Sequence, residues 1–221
     1  MALGAAAMDT QEQVPAFLLI VREGLRPGSD EAYAKNESKI AAVCARLNCP
    51  HPYLALAPVA GPTEVWWLNA FASREEKDQL EPAYARNERL MAQLRPLGKR
   101  KEAFRHALTT TLTEYRPDLS HGTVWRSSGA RFFVIDLNQG GREAVGPVFE
   151  SAEGQRFSVA SADSRAAADR IAARAGSGSV ILAVQPQWSF PAHAWIAADP
   201  AFWKSNPVAR TRPGSRGGTC Q

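Results

Sequence analysis

The stretch Val65-Trp66-Trp67-Leu68-Asn69-Ala70-Phe71 limits this chain more than any other. Successive side chains of a strand point to opposite faces, so Val65, Trp67 and Phe71 fall on one side, and Trp66, Leu68 and Ala70 on the other. Both sides are apolar. Residues 17–21, 53–57, 132–135 and 180–184 behave the same way. An antiparallel sheet with one wet face alternates polar and apolar residues, so this sheet must be covered twice, by helices on one face and by a further layer on the other. Left open, the second face would exceed the few hundred Å² of contiguous apolar surface that monomers tolerate.

The elements along the first half follow from local signals. Residues 17–21 read as a strand ending at the Arg26-Pro27-Gly28 turn. Ser29 or Asp30 caps a helix in which Tyr33, Glu37, Ile40, Cys44 and Leu47 recur at steps of three and four, and which stops before Pro50. Strands at 53–57 and 64–71 follow. Ser73 caps a second helix, with breaks expected at Glu81-Pro82 and, after Pro96, near Leu97-Gly98. A short strand at 111–116 closes the unit. Strand, helix, strand, strand, helix, strand is the split βαβ order of a ferredoxin-like α+β domain. An internal echo supports it: Tyr33-Ala34-Lys35-Asn36-Glu37 is matched 51 residues later by Tyr84-Ala85-Arg86-Asn87-Glu88.

The second half looks like a shortened copy. Strands are expected at 132–137, 156–160 and 180–185, with an Ala-rich helix at 164–175 capped by Asp163 or Ser164 and a closing turn at 199–204 with Phe202 and Trp203 packed inward. Residues 140–154 hold four glycines and one proline, which argues against a long helix there. The expected organisation is a flexible N-terminus (1–13), an α+β domain (14–120), a second, shortened α+β domain (129–206) and a disordered basic tail (207–221).

A second ferredoxin-like sheet is the economical cover for the open face, supplied by the same chain, by a second subunit, or by both. Two facing sheets make an α+β barrel. In this respect the chain resembles the dimeric α+β barrel superfamily, and looks most like its NIPSNAP-type and antibiotic-biosynthesis-monooxygenase-type domains. The residues that carry the likeness are Arg26-Pro27-Gly28 after the opening strand, Glu31-Ala32-Tyr33 at the start of the helix, and Gly61-Pro62-Thr63-Glu64-Val65-Trp66-Trp67 entering the third strand. They span about half the chain. The resemblance implies a homodimer and a small oxygenase or isomerase that needs no bound cofactor and acts on a phenolic or polycyclic aromatic substrate. A haem-handling variant fits less well, because residues 74–95 contain no His to ligate iron and His106 comes late.

Composition narrows the partners. The formal charge is +4 over 221 residues, but Arg210, Arg212 and Arg216 lie in the last fifteen residues, which contain no acid, so the body carries only +1. No nucleic-acid partner is expected, and the Lys99-Arg100-Lys101 run reads as a solvated helix face. No stretch approaches the roughly 18 apolar residues of a membrane span, and the first residues lack a basic region ahead of their apolar run. Three cysteines cannot all pair internally and one, Cys220, lies in the tail, which reads as a reducing compartment and hence cytoplasm.

Strong catalytic signatures are missing: there is no G-x-S-x-G elbow, no phosphate-cradling glycine loop, no H-E-x-x-H and no C-x-x-C. Cys44, Cys49 and His51 have soft-ligand chemistry but are too few for a closed metal site, so no metal is expected and Cys44 reads as core. What remains is polar groups on inward faces. Glu37 lies on the apolar stripe with Tyr33 and Ile40, and Glu88 holds the matching place beside Tyr84. A carboxyl buried there without a partner has its pKa raised and serves as a general acid or base; at the edge of the stripe it simply pairs with a Lys or Arg. His51, between Pro50 and Pro52, is rigidly mounted at a sheet end, where it acts as a base or merely bonds the preceding helix's carbonyls. Trp67, grouped with Asn69, is expected to face the barrel interior.

Two functions follow. As an enzyme, Glu37 or His51 removes a substrate proton, Trp67 and Tyr33 orient the ring, Asn69 bonds the developing oxyanion, and Tyr84 and Glu88 complete the substrate wall. As a non-catalytic ligand-binding or homodimeric assembly module, the chain uses the same residues for packing. An enzyme needs an open cavity lined by Glu37, His51 or Trp67; a module fills that space.

Overall fold

A computed structural model describes residues 12–122, 125–137 and 143–210. The first half contributes strands β1 (Phe17–Leu25), β2 (Leu54–Pro58), β3 (Glu64–Phe71) and β4 (Arg105–Tyr115), with helices α1 (Asp30–Leu47), α2 (Arg74–Asp78), α3 (Leu80–Arg86) and α4 (Glu88–Glu102). The second adds β5 (Phe132–Asp136), β6 (Val148–Ser151), β7 (Arg156–Ala162), α5 (Arg165–Ala175) and β8 (Ser179–Val184), then three short helices, α6 (His193–Ala198), α7 (Pro200–Trp203) and α8 (Pro207–Arg210). All pairings are antiparallel and close in the order β1-β3-β2-β8-β5-β7-β6-β4.

That circle is two ferredoxin-like sheets. Within the first half the order is β4-β1-β3-β2, and the second half repeats it as β8-β5-β7-β6. The seams are β2 against β8, through Leu56 and Val184, and β4 against β6, through Thr113 and Ser151. The second copy is shortened because, among its described residues, one helix (α5) stands where the first half has four. The barrel therefore closes within one chain, and the apolar front face needs no second subunit to cover it.

Cross-strand register assigns the faces. Leu18, Ile20, Leu56, Trp66, Phe133 and Phe157 point into the barrel and are all fully buried, so the middle of its interior is filled by side chains. Trp66 keeps its indole N–H satisfied there by donating to Glu64 Oε1 (2.9 Å), while the Arg22 guanidinium lies over the ring at 4.2 Å. The outer faces lie under helices: α1 and α4 pack on each other over β1 and β3, and α5 packs through Ala168 on Val134 and Ala162. Trp67 is on this outer face, opposite Val21 of β1, so the expectation that it points into the barrel is corrected; Trp66 is the interior tryptophan.

Five further details differ from the sequence-based expectation. β4 begins at Arg105, six residues earlier than expected, and β6 is an additional strand whose four residues carry too little pattern to announce it. Pro96 does not break α4; Asn36 of α1 donates to the carbonyl of Leu97 (3.2 Å), and packing on α1 holds the helix through the proline. The second helix breaks instead at Gln79, with Pro82 in the first turn of α3 where its missing N–H costs nothing, and again at Asn87. Pro207–Arg210, read as the start of the tail, form a helical turn with Val208 buried, and the rest of the tail lies outside the described residues, as do residues 1–11 of the expected flexible N-terminus.

Cys44 and Cys49 are joined by a disulfide at the end of α1. Cysteine usage thus gives no support to a reducing compartment. Among the described residues no helix is long and apolar enough to cross a membrane, and no cluster of His, Cys, Asp and Glu could hold a metal ion.

Candidate functional site

The outer face of β1 and β3 carries one acid, Glu23, and one amide, Asn69, among apolar side chains, and α1 lays Tyr33 and Glu37 over it one helical turn apart. From the far end of α4, Lys101 reaches down between them. Its Nζ is 2.8 Å from Glu23 Oε2 and 3.3 Å from Glu37 Oε1, and it sits 4.3 Å from the centroid of Trp67. Glu23 is the hub. Its Oε2 also accepts from the Tyr33 hydroxyl (2.5 Å) and the Trp67 indole N–H (3.2 Å), and its Oε1 from Arg105 (2.8 Å).

The two carboxyls are consequently tuned in opposite directions. Burial pushes Glu23 up, but the charge of Lys101 and hydrogen bonds from Lys101, Tyr33 and Trp67 outweigh it and hold the group below the usual carboxylate range. Burial pushes Glu37 up to about 6, helped by repulsion from Glu23 and only partly opposed by Lys101. Glu37 Oε1 accepts no well-aligned hydrogen bond. Burial also raises the phenols: Tyr33 and Tyr53 lie far above their ordinary value and Tyr84 is pushed up to about 12, so all three stay protonated donors.

Beside this cluster is a cavity of about 200 Å³, lined by Glu37, Lys101, Trp67, Asn69, Tyr53 and Tyr84, with Cys44 in its wall. It is smaller than the roughly 300–1,000 Å³ of most ligand pockets and matches a molecule of one or two rings. Of the residues expected from sequence, Glu37, Trp67, Asn69 and Tyr84 meet here, and Tyr33 joins through Glu23. Two do not. Glu88 is exposed at the start of α4, because Asn87 stops α3 and caps a new helix through Leu90 N (3.1 Å), which breaks the match to Glu37 in the middle of α1. His51 stacks on Phe71 (4.3 Å between centroids), with Nδ1 3.6 Å from Glu76, and does not line the cavity; burial lowers its pKa against the pull of Glu76.

Glu23, Lys101, Arg105 and Tyr53 were not anticipated. A signal for Lys101 existed: Leu90, Leu94, Leu97 and Lys101 follow one another at steps of four, three and four, which puts the lysine on the packed stripe of α4. The expected break after Pro96 concealed it.

No known protein family matches the sequence, and no curated protein is similar to it. Among solved structures, an anthrone oxidase-like protein is 13% identical over 79% of this chain and 94% of its own, with a TM-score of 0.46. A protein from Fusobacterium nucleatum provisionally classed as a monooxygenase is 9% identical over 78% of this chain and 93% of its own, with a TM-score of 0.49. A NIPSNAP family protein from Agrobacterium tumefaciens is 17% identical over 43% of this chain and 89% of its own, with a TM-score of 0.34.

Proposed function

We propose that the cavity between β3, α1 and α4 is an acid–base site for a small aromatic substrate, with Glu37 as the proton acceptor. The observation that carries this reading is a buried carboxyl, titrating near 6, that opens on an aromatic cavity with an ammonium 3.3 Å away. A base with a pKa of 6 is about ten parts carboxylate to one part acid at pH 7, and strong enough to take a proton from an activated carbon or a phenol. Trp67 and Tyr84 flank the ring. As Glu37 gains the proton it loses its charge, and Lys101 and Asn69 are placed to bond the oxyanion that appears on the substrate. Glu23 keeps Lys101 in position throughout.

The deprotonated substrate has two outcomes. Returning the proton to another carbon gives an isomer. Reaction with dioxygen turns a ring methylene into a carbonyl, consuming one O₂ and releasing one water, with both electron pairs drawn from the substrate and no bound cofactor. The assembly-module reading is served by the barrel interior, which is packed with side chains; the cavity under the helices, which is not, favours the enzyme. Oxygen uptake and ultraviolet spectra with a panel of one- and two-ring phenols and cyclic ketones test the proposal. Turnover that falls at least 100-fold in Glu37→Gln, with the fold intact, supports it. Equal turnover in Glu37→Gln removes Glu37 from the chemistry, and oxygen uptake separates oxygenation from isomerisation.

A further inference from the structure

A second and larger cavity, of about 740 Å³, lies away from the Glu37 site, where the chain enters the barrel ahead of β1. Three aromatic side chains, Trp125, Tyr115 and Trp195, stand in its walls. Trp125 packs edge-on to Phe149 (5.8 Å) and against Phe133 (6.1 Å), and its indole N–H donates to Ser127 Oγ (3.1 Å). Tyr115 leans on the same Phe149 (5.7 Å), and Trp195 of α6 also lines the cavity. Ala70 and Ala72 at the end of β3 add small side chains to the lining.

Two carboxylates stand at this cavity, and the described residues lining it include no Lys, Arg or His. Glu12 accepts from the backbone N–H groups of Ser127 (2.6 Å) and Ser128 (2.7 Å), and Glu76 from that of Ala72 (2.6 Å). These bonds fix the carboxylates without cancelling their charge. His51, 3.6 Å from Glu76, is buried in a way that favours its neutral form. Three aromatic side chains and two fixed carboxylates around a space of ligand size form a receptor for positive charge with an apolar body, since aromatic rings and carboxylates both attract cations.

From this we infer that the cavity binds an organic cation, an ammonium carrying aromatic or alkyl groups, at a site separate from the acid–base centre. Calorimetric titration of the full chain with benzyltrimethylammonium tests it, alongside the anion phenylacetate and uncharged benzyl alcohol. The cation should bind at least tenfold more tightly than either control, and 0.5 M salt should weaken it. Glu76→Gln, which keeps the shape of the side chain, should lose about threefold or more, and Trp195→Ala fivefold or more, with both variants folded by circular dichroism. Glu37→Gln should bind the cation as wild type does, which keeps this test apart from the proposed chemistry. No binding up to 10 mM, equal binding of the three probes, or unchanged affinity in either Glu76→Gln or Trp195→Ala overturns the inference.

Discussion

Lys101 of α4 and Glu37 of α1 approach within 3.3 Å in the space above Trp67, and the same ammonium is 2.8 Å from Glu23. One cation thus serves two buried carboxyls from opposite layers, so the distance between the helices and the sheet is set by electrostatics as well as by packing.

Removing that cation should be costly. In Lys101→Met both carboxyls remain buried and Glu23 keeps only Arg105 as a charged partner, so stability at pH 7 should drop by about 3–5 kcal/mol. Urea denaturation measures it. A loss below about 1 kcal/mol would mean that water reaches the cluster.

Glu37 should make stability depend on pH with a definite sign. Its folded pKa, about 6, lies above the ordinary 4.5, so its contribution is fully present below 4.5 and is lost as the pH rises through 6. Ionisation inside the fold then costs about 2 kcal/mol. Glu37→Gln escapes this cost, so its stability relative to wild type should increase between pH 4.5 and pH 8. Glu23 works in reverse, because its pKa is lowered: it supports the fold above 4.5 and ceases to do so as the pH falls below that value. Relative to wild type, the denaturation midpoint of Glu37→Gln should fall as the pH drops from 8 to 4.5, whereas that of Glu23→Gln should stay level over this range and rise only below pH 4.5.

The barrel interior should respond as a packed core. Phe157 is fully buried inside it, and Phe157→Ala should cost about 3–5 kcal/mol through lost burial and the cavity left behind. A cost under about 1 kcal/mol would show that the interior collapses or admits water.

The disulfide between Cys44 and Cys49 closes a loop with a sequence separation of 5. Chain entropy for so short a loop gives about 2 kcal/mol. Adding a reductant should lower thermal stability by that order, and Cys49→Ser should be insensitive to the same reductant.

Much of the architecture was legible because both faces of its strands had to be dry. Val65 to Phe71, apolar on either side, demanded helices behind and a second sheet in front, and the structure supplies both from one chain. What stayed hidden was pattern shared by competing elements. Residues 105–110 of β4 continue the composition of the preceding helix and are largely exposed, so no buried face marked them as strand. Trp66 and Trp67 are equally apolar, and alternation alone does not say which face lies under helices. At the site, Glu37 and Tyr33 were readable from helical spacing, whereas Glu23, Lys101 and Arg105 meet only in three dimensions, from β1, α4 and β4. Glu88 misled because its likeness to Glu37 is local, and one capping asparagine ahead of it changed its surroundings.

The central claim is that Glu37 holds a titratable proton in an open aromatic cavity. Carbon-13 NMR of the side-chain carboxyls, assigned by the resonance absent in Glu37→Gln and followed with and without 2-naphthol, tests it most directly. A midpoint near 6 that shifts when the naphthol binds is the predicted result. A midpoint at the ordinary value near 4.5, or one that the naphthol leaves unmoved, would contradict it.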